Sequence, residues 1–217
     1  MTHTPRTLVC FAVPQESKPF RRRFPPSSQV EILVTGMGPQ NAQRSFEQQL
    51  AHSTFDRVLT CGFAGGLNPA FRTGEVFFET SSTTLTANLK QAGAQEARFL
   101  CTNRVAITLA EKEQLRSRDG ADLVEMESGI VQAECRRREI PCATVRVISD
   151  AADESLPLDF NALMTPDYRL SAFKMTGALL RHPSSIPGLM QLGRKTAHAA
   201  DRLAEVLIRF LQLPQST

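Results

Sequence analysis

Four short segments carry the residues whose types and spacing could do chemistry. Val124-Glu125-Met126-Glu127-Ser128 sets two carboxylates around a methionine, where an apolar run passes into a helical one. Acids placed there are costly to bury without partners. A vicinal diol would satisfy one of them, because a carboxylate accepts two hydroxyl hydrogen bonds. The same pair also suits a helix N-terminus, where acids complement the dipole. Val145-Arg146-Val147-Ile148-Ser149-Asp150 delivers Ser149 and Asp150 to the C-terminal end of a buried strand. An Asp there can act as a general acid when burial raises its pKa; it also suits a cap for the next segment.

Two further segments are rich in glycine. Thr35-Gly36-Met37-Gly38-Pro39 runs from a strand into a helix, and Thr60-Cys61-Gly62-Phe63-Ala64-Gly65-Gly66 ends another strand. Glycine lets backbone approach a ligand, and a helix N-terminus favours an anion. Both runs serve equally in tight turns that bind nothing. Glu16, two residues after Pro14, follows the first strand; alone it reads as a loop glutamate. No histidine has a partner at metal-ligand spacing, and no Walker or G-x-S-x-G motif is present.

The elements that must position these residues follow from periodicity. Apolar runs too short for helices predict strands at Thr7–Val13, Val30–Thr35, Arg57–Cys61, Glu75–Thr80, Phe99–Cys101, Ala121–Val124 and Cys142–Ile148. Helical patterns predict Pro39–Ala51, Thr108–Arg116, Glu127–Glu139 and Ile186–Leu211. Thr108 with Glu111 three residues on has capping-box spacing. Arg21–Ser28 and Ser81–Gln95 read as loops, and 151–168 as a long loop beside a site. Strands alternating with helices predict an α/β fold: one domain over residues 1–217, a three-layer sandwich whose central, mostly parallel sheet is flanked by helices.

Composition narrows the class. The chain has 217 residues, 41% hydrophobic and 22% charged, with a net charge of +3. Disorder and coiled coil do not fit such a profile, and the small basic excess does not point to nucleic acid. Five cysteines without C-x-x-C spacing read as small hydrophobes in a reducing compartment, most clearly Cys10, Cys61 and Cys142 in or beside apolar runs. No run approaches a membrane span and the N-terminus does not read as a signal peptide, so a cytoplasmic protein is expected.

Taken together, the order Glu16, the 36–38 turn, CGFAGGLNP-x5-GEV, VEMES and VRVISDAAD resembles the superfamily of nucleoside phosphorylases and methylthioadenosine/S-adenosylhomocysteine nucleosidases. The resemblance runs from Leu8 to Leu211, and VEME followed by R-x-I-S-D-x-A-D is its most specific part. The tail, LPLDFNALM and ALLRHPSSIPGLMQL, is similar to the hopanoid-associated phosphorylases, which are thought to remove adenine from adenosylhopane.

The resemblance implies cleavage of an N-ribosidic bond of an adenine-type nucleoside, with no cofactor and with phosphate as one possible co-substrate. It implies that Asp150, supported by Ser149, protonates or hydrogen-bonds the departing base. It implies that Glu127 holds the ribose hydroxyls, with Met126 and Glu125 beside it, and that Glu16 activates water. Gly62, Phe63, Ala64 and Gly65 would floor the site, and Gly38 would border it. It also implies a homodimer or larger homo-oligomer. Two positions depart from the pattern: Phe63 stands where many relatives carry serine, and Thr60 where some phosphorylases carry arginine. A catalytically degenerate nucleoside-binding protein and a generic nucleotide-binding module are the rival readings.

Overall fold

The computed structural model describes residues 5–214. Apolar runs build an eight-stranded sheet. Strand β1 (Thr7–Phe11) pairs in parallel with β2 (Val30–Val34) and with β3 (Arg57–Gly66). On its other side β3 pairs in parallel with the long strand β8 (Cys142–Asp150). Strand β4 (Val76–Thr80) closes antiparallel on β8 and carries the two-residue β5 (Gln95–Glu96). The far end of β3 turns to pair antiparallel with β7 (Leu123–Glu125), which holds β6 (Phe99–Cys101) in parallel. The sheet is therefore mixed and mostly parallel, as expected.

Alternation along β1 separates two cores, since successive strand residues point to opposite faces. Val9 and Phe11 face a cluster with Leu59, Val145, Leu203, Leu207 and Phe210. Leu8 and Cys10 face Phe46, Leu50, Val58 and Val131. The first cluster is covered by helices α1 (Pro14–Arg23), α3 (Thr83–Ala92) and α8 (Ile186–Gln212), the second by α2 (Pro39–His52) and α5 (Ser128–Arg137). The stripe predicted along α8 is buried from Ala199 onward and includes Leu203 and Leu207. Helix α4 (Leu109–Asp119) begins with the capping box read from Thr108 and Glu111. Cys10, Cys61 and Cys135 are buried and Cys142 is half-buried.

Three expectations are corrected. The segment 81–95 is not a loop: Ser82 caps α3 through the Leu85 N–H, and Gly93 ends it in the left-handed region. Its stripe of Leu85, Leu89 and Ala92 is sparse, so packing against α8 rather than propensity makes the helix. Arg21–Arg23 are not connection but the last turn of α1, and Glu16 lies on that helix instead of a loop. Pro19 lies inside α1, where it removes a hydrogen bond, yet Phe20 is fully buried and anchors the helix. The segment 151–168 is mostly irregular, as expected, but holds the short α6 (Phe160–Leu163). Beyond it α7 (Ala172–Arg181) buries no side chain and turns Phe173 and Leu180 outward.

Candidate active site

Strand ends and two helix starts converge on one cavity of about 260 Å³. Of the residues singled out in the sequence, Glu16, Phe63, Ala64, Gly65, Glu125, Met126, Glu127, Ser149 and Asp150 line it. Gly38 and Gly62 do not line it but lie directly behind its walls. The rest of the lining is largely apolar: Met37, Val105, Leu156, Phe160 and Leu192 contribute to it.

The C-terminal end of β8 is brought in by an irregularity. Its pairing with β3 shifts between Ala64 and Gly65, so that Ile148 faces Ala64 but Asp150 faces Gly65. The extra residue is Ser149, whose hydroxyl donates to Asp150 Oδ1 at 2.6 Å. A side chain at Gly65 would press on Val124 and on Asp150 Oδ2.

On one wall of the cavity Glu16, Glu125 and Glu127 gather around Arg146, which does not line it. Arg146 is 1% exposed. Its Nη2 donates to Glu125 Oε2 at 2.5 Å and lies 3.7 Å from Glu127 Oε2. Glu125 also accepts from the backbone N–H groups of Glu127 and Ser128 and from the Ser128 hydroxyl. Burial works to raise the Glu125 carboxyl, and Arg146 with these donors more than offsets it, leaving it below its ordinary value. Burial likewise opposes the Arg146 charge, and the Glu125 and Glu127 carboxylates overcome that and hold it above its ordinary range. Both Glu125 oxygens are thus committed to internal partners.

Glu127 is less engaged. Its Oε1 accepts from the Gly38 N–H at 3.1 Å. Burial pushes its carboxyl up to about 7; Arg146 works against that rise, and the charges of Glu125 and Glu16 add to it. Of the two acids around Met126, Glu127 is therefore the one with capacity left for hydroxyl donors. Gly38 can reach it because its backbone adopts a φ of 81° and because the ring of Tyr168 packs where a Cβ would stand, 2.5 Å from the ring.

Glu16 is clamped from three sides. Its Oε2 accepts from the N–H groups of Ala12 and Val13, and its Oε1 from that of Phe63 at 2.8 Å. Burial pushes Glu16 up from the ordinary carboxylate range, while Arg146 and the three N–H groups restrain the rise. Gly62 is required beneath it, since a Cβ there would lie 2.6 Å from Glu16 Oε1 and 3.0 Å from Arg146 Nη1.

Sequence reasoning assigned no role to two site-forming residues. Arg146 stood in the VRVISD segment as one more residue of a buried strand. Lys112 stood between Glu111 and Glu113, where it is indistinguishable from a solvated helix face. In the structure its side chain is 1% exposed and its Nζ donates to Asp150 Oδ2 at 2.6 Å. Arg104, whose side chain is largely exposed, also lines the cavity and pairs with Glu111.

Fold and site together define an α/β protein built around one cavity walled by acids from strand ends and helix starts. The family model described as the phosphorylase superfamily matches residues 84–181, a stretch that includes the VEMES and VRVISD segments. The chain is similar in structure to methylthioadenosine/S-adenosylhomocysteine nucleosidase from Helicobacter pylori, at 16% identity and a TM-score of 0.73, covering 96% of this chain and 98% of that one. It is similar to futalosine hydrolase of Helicobacter pylori, at 16% identity and a TM-score of 0.72, covering 95% and 97%. It is also similar to the methylthioadenosine/S-adenosylhomocysteine nucleosidase from Neisseria meningitidis, at 18% identity and a TM-score of 0.70, covering 95% and 99%. At such identities the likeness is one of fold. The family model matches the superfamily that the motifs resemble, and the solved structures bear out the expected fold; the hopanoid-associated branch is reached by neither.

Proposed function

We propose that this protein cleaves the N-ribosidic bond of an adenine-type nucleoside by hydrolysis. The observation that carries the reading is the convergence of Asp150, Glu127 and Glu16 on one cavity. Cleavage passes through an oxocarbenium-like state, as in glycoside hydrolysis. The C1′–N bond breaks with its electron pair on the base, and Asp150, backed by Ser149, gives its carboxyl proton to the ring nitrogen of the departing base. Such a group contributes about 10²- to 10⁴-fold. Glu127 holds the ribose hydroxyls, and the nearby carboxylates stabilise positive charge on the ring. Glu16 takes a proton from the water whose oxygen bonds to C1′.

Water is favoured over phosphate because cations are scarce. Binding a phosphate dianion needs several donors or a free cation. Thr60 and Phe63 supply no charge, Arg146 faces three acids, and Arg104 is paired with Glu111. The apolar lining suits a nucleoside whose 5′ substituent is apolar, as in methylthioadenosine-type or adenosylhopane-type substrates. The outward Phe173 and Leu180 of α7 suit the homo-oligomer that the resemblance implies.

The test is base release from a panel of adenine nucleosides with and without millimolar phosphate. Release independent of phosphate supports hydrolysis. A phosphate-dependent rate with a sugar 1-phosphate product overturns the choice of nucleophile. Tight binding without release makes the protein a nucleoside-binding one.

A further inference from the structure

Lys112 is the most deeply buried lysine of the described residues, and it does not line the cavity. Burying an ammonium is expensive unless it is paired and hydrogen-bonded. All three of its donors are used: Asp150 Oδ2 at 2.6 Å, the Ala151 carbonyl at 2.7 Å and the Glu154 carbonyl at 2.8 Å. It reaches them from α4, 38 residues earlier in the chain. The turn it grips is fixed from the other side as well, where the Glu154 carboxylate takes Lys195 of α8 at 2.5 Å.

Capping two carbonyls would be an ordinary structural task. The third acceptor is different, because Asp150 is the carboxyl that lines the cavity. With Ser149 on Oδ1 and Lys112 on Oδ2, rotation of that carboxyl breaks a short hydrogen bond on each edge.

We propose that Lys112 is the positioning residue of Asp150: it fixes the orientation of the carboxyl that meets the bound base, so that the pair acts as one unit. The catalytic part of this proposal rests on the nucleosidase reading; the Lys112–Asp150 relation does not.

The experiment compares the parent, Lys112→Met, Asp150→Asn and the double variant, using base release from 5′-methylthioadenosine. The expected loss for Lys112→Met is about tenfold to a hundredfold in kcat with little change in KM, because misplacing a reacting group costs that order. On the Asp150→Asn background the same change costs no more than about threefold, the mark of two residues acting as one. Additive losses, or a loss that falls on KM with kcat unchanged, overturn the proposal. The double variant is neutral at both positions and serves as the folded comparator if Lys112→Met alone does not fold. A carbon-13 spectrum of the Asp150 carboxyl in parent and Lys112→Met, taken at one pH, needs no turnover. A displaced carboxyl resonance supports the pairing even if the parent releases no base, in which case only the nucleosidase reading fails. An unmoved resonance overturns the proposal whatever the activity.

Discussion

Arg146 Nη2 sits 2.5 Å from Glu125 and 3.7 Å from Glu127, and this difference assigns the two acids of the VEMES segment to different tasks. Glu125 is spent on holding the arginine and the start of α5. Glu127 keeps an oxygen edge toward the cavity and a carboxyl raised to about 7.

Glu127→Gln is expected to weaken ribose recognition. Charge-assisted hydrogen bonds contribute about 1.5–3 kcal/mol, so kcat/KM for a ribonucleoside should fall about tenfold to a hundredfold. The loss should be much smaller for a 2′-deoxy substrate. In the parent, kcat/KM should fall as pH drops below about 7, where Glu127 takes up a proton, and Glu127→Gln should lack that limb. Equal losses on both substrates would count against the sugar contact.

The same carboxyl makes a prediction about stability. Its folded pKa, about 7, lies above the ordinary value of 4.5. The unfolded chain therefore gives up this proton more readily than the folded one. Stability from this group is complete below about pH 4.5 and is lost as pH rises through 7. Urea melts of Glu127→Gln should show a gain over the parent at pH 8 of about 1–3 kcal/mol relative to the difference at pH 4. A pH-independent difference would contradict the burial argument.

Asp150→Asn should preserve the fold and remove most turnover. Asn keeps the shape but carries no transferable proton. Base release within a few-fold of the parent would show that another group meets the base.

Gly62→Ala should destabilise the protein by about 1–3 kcal/mol, the usual cost of overpacking, and lower activity with it. The new methyl would meet Glu16 and Arg146, and both are held by hydrogen bonds that prevent them from moving aside. Gly193→Ala, inside α8 with open space around it, is the control and should stabilise by about 0.5–1 kcal/mol. Thermal melts of the two variants side by side decide the matter.

Much of the fold is written locally. The strands are short apolar runs, the start of α4 is a capping box, and α8 is an apolar stripe; each signal sits within a few residues of what it specifies. The motifs that place Glu16, Glu127 and Asp150 at one cavity are also short enough to read. Helices α1 and α3 are not locally written, because Pro19 opposes one, a sparse stripe marks the other, and both gain their stability by packing against α8. The electrostatics of the site are the least legible part. Whether a lysine between two glutamates or an arginine in a strand is solvated or buried depends on what the chain brings against it from far away. Lys112 meets Asp150 across 38 residues and Arg146 meets Glu125 across 21, and those encounters set which carboxylates are committed and which are free. The strands and the acids near their ends can be read from neighbouring residues; the partners of those acids cannot, because burial and long-range charge pairing arise only when distant segments fold against one another.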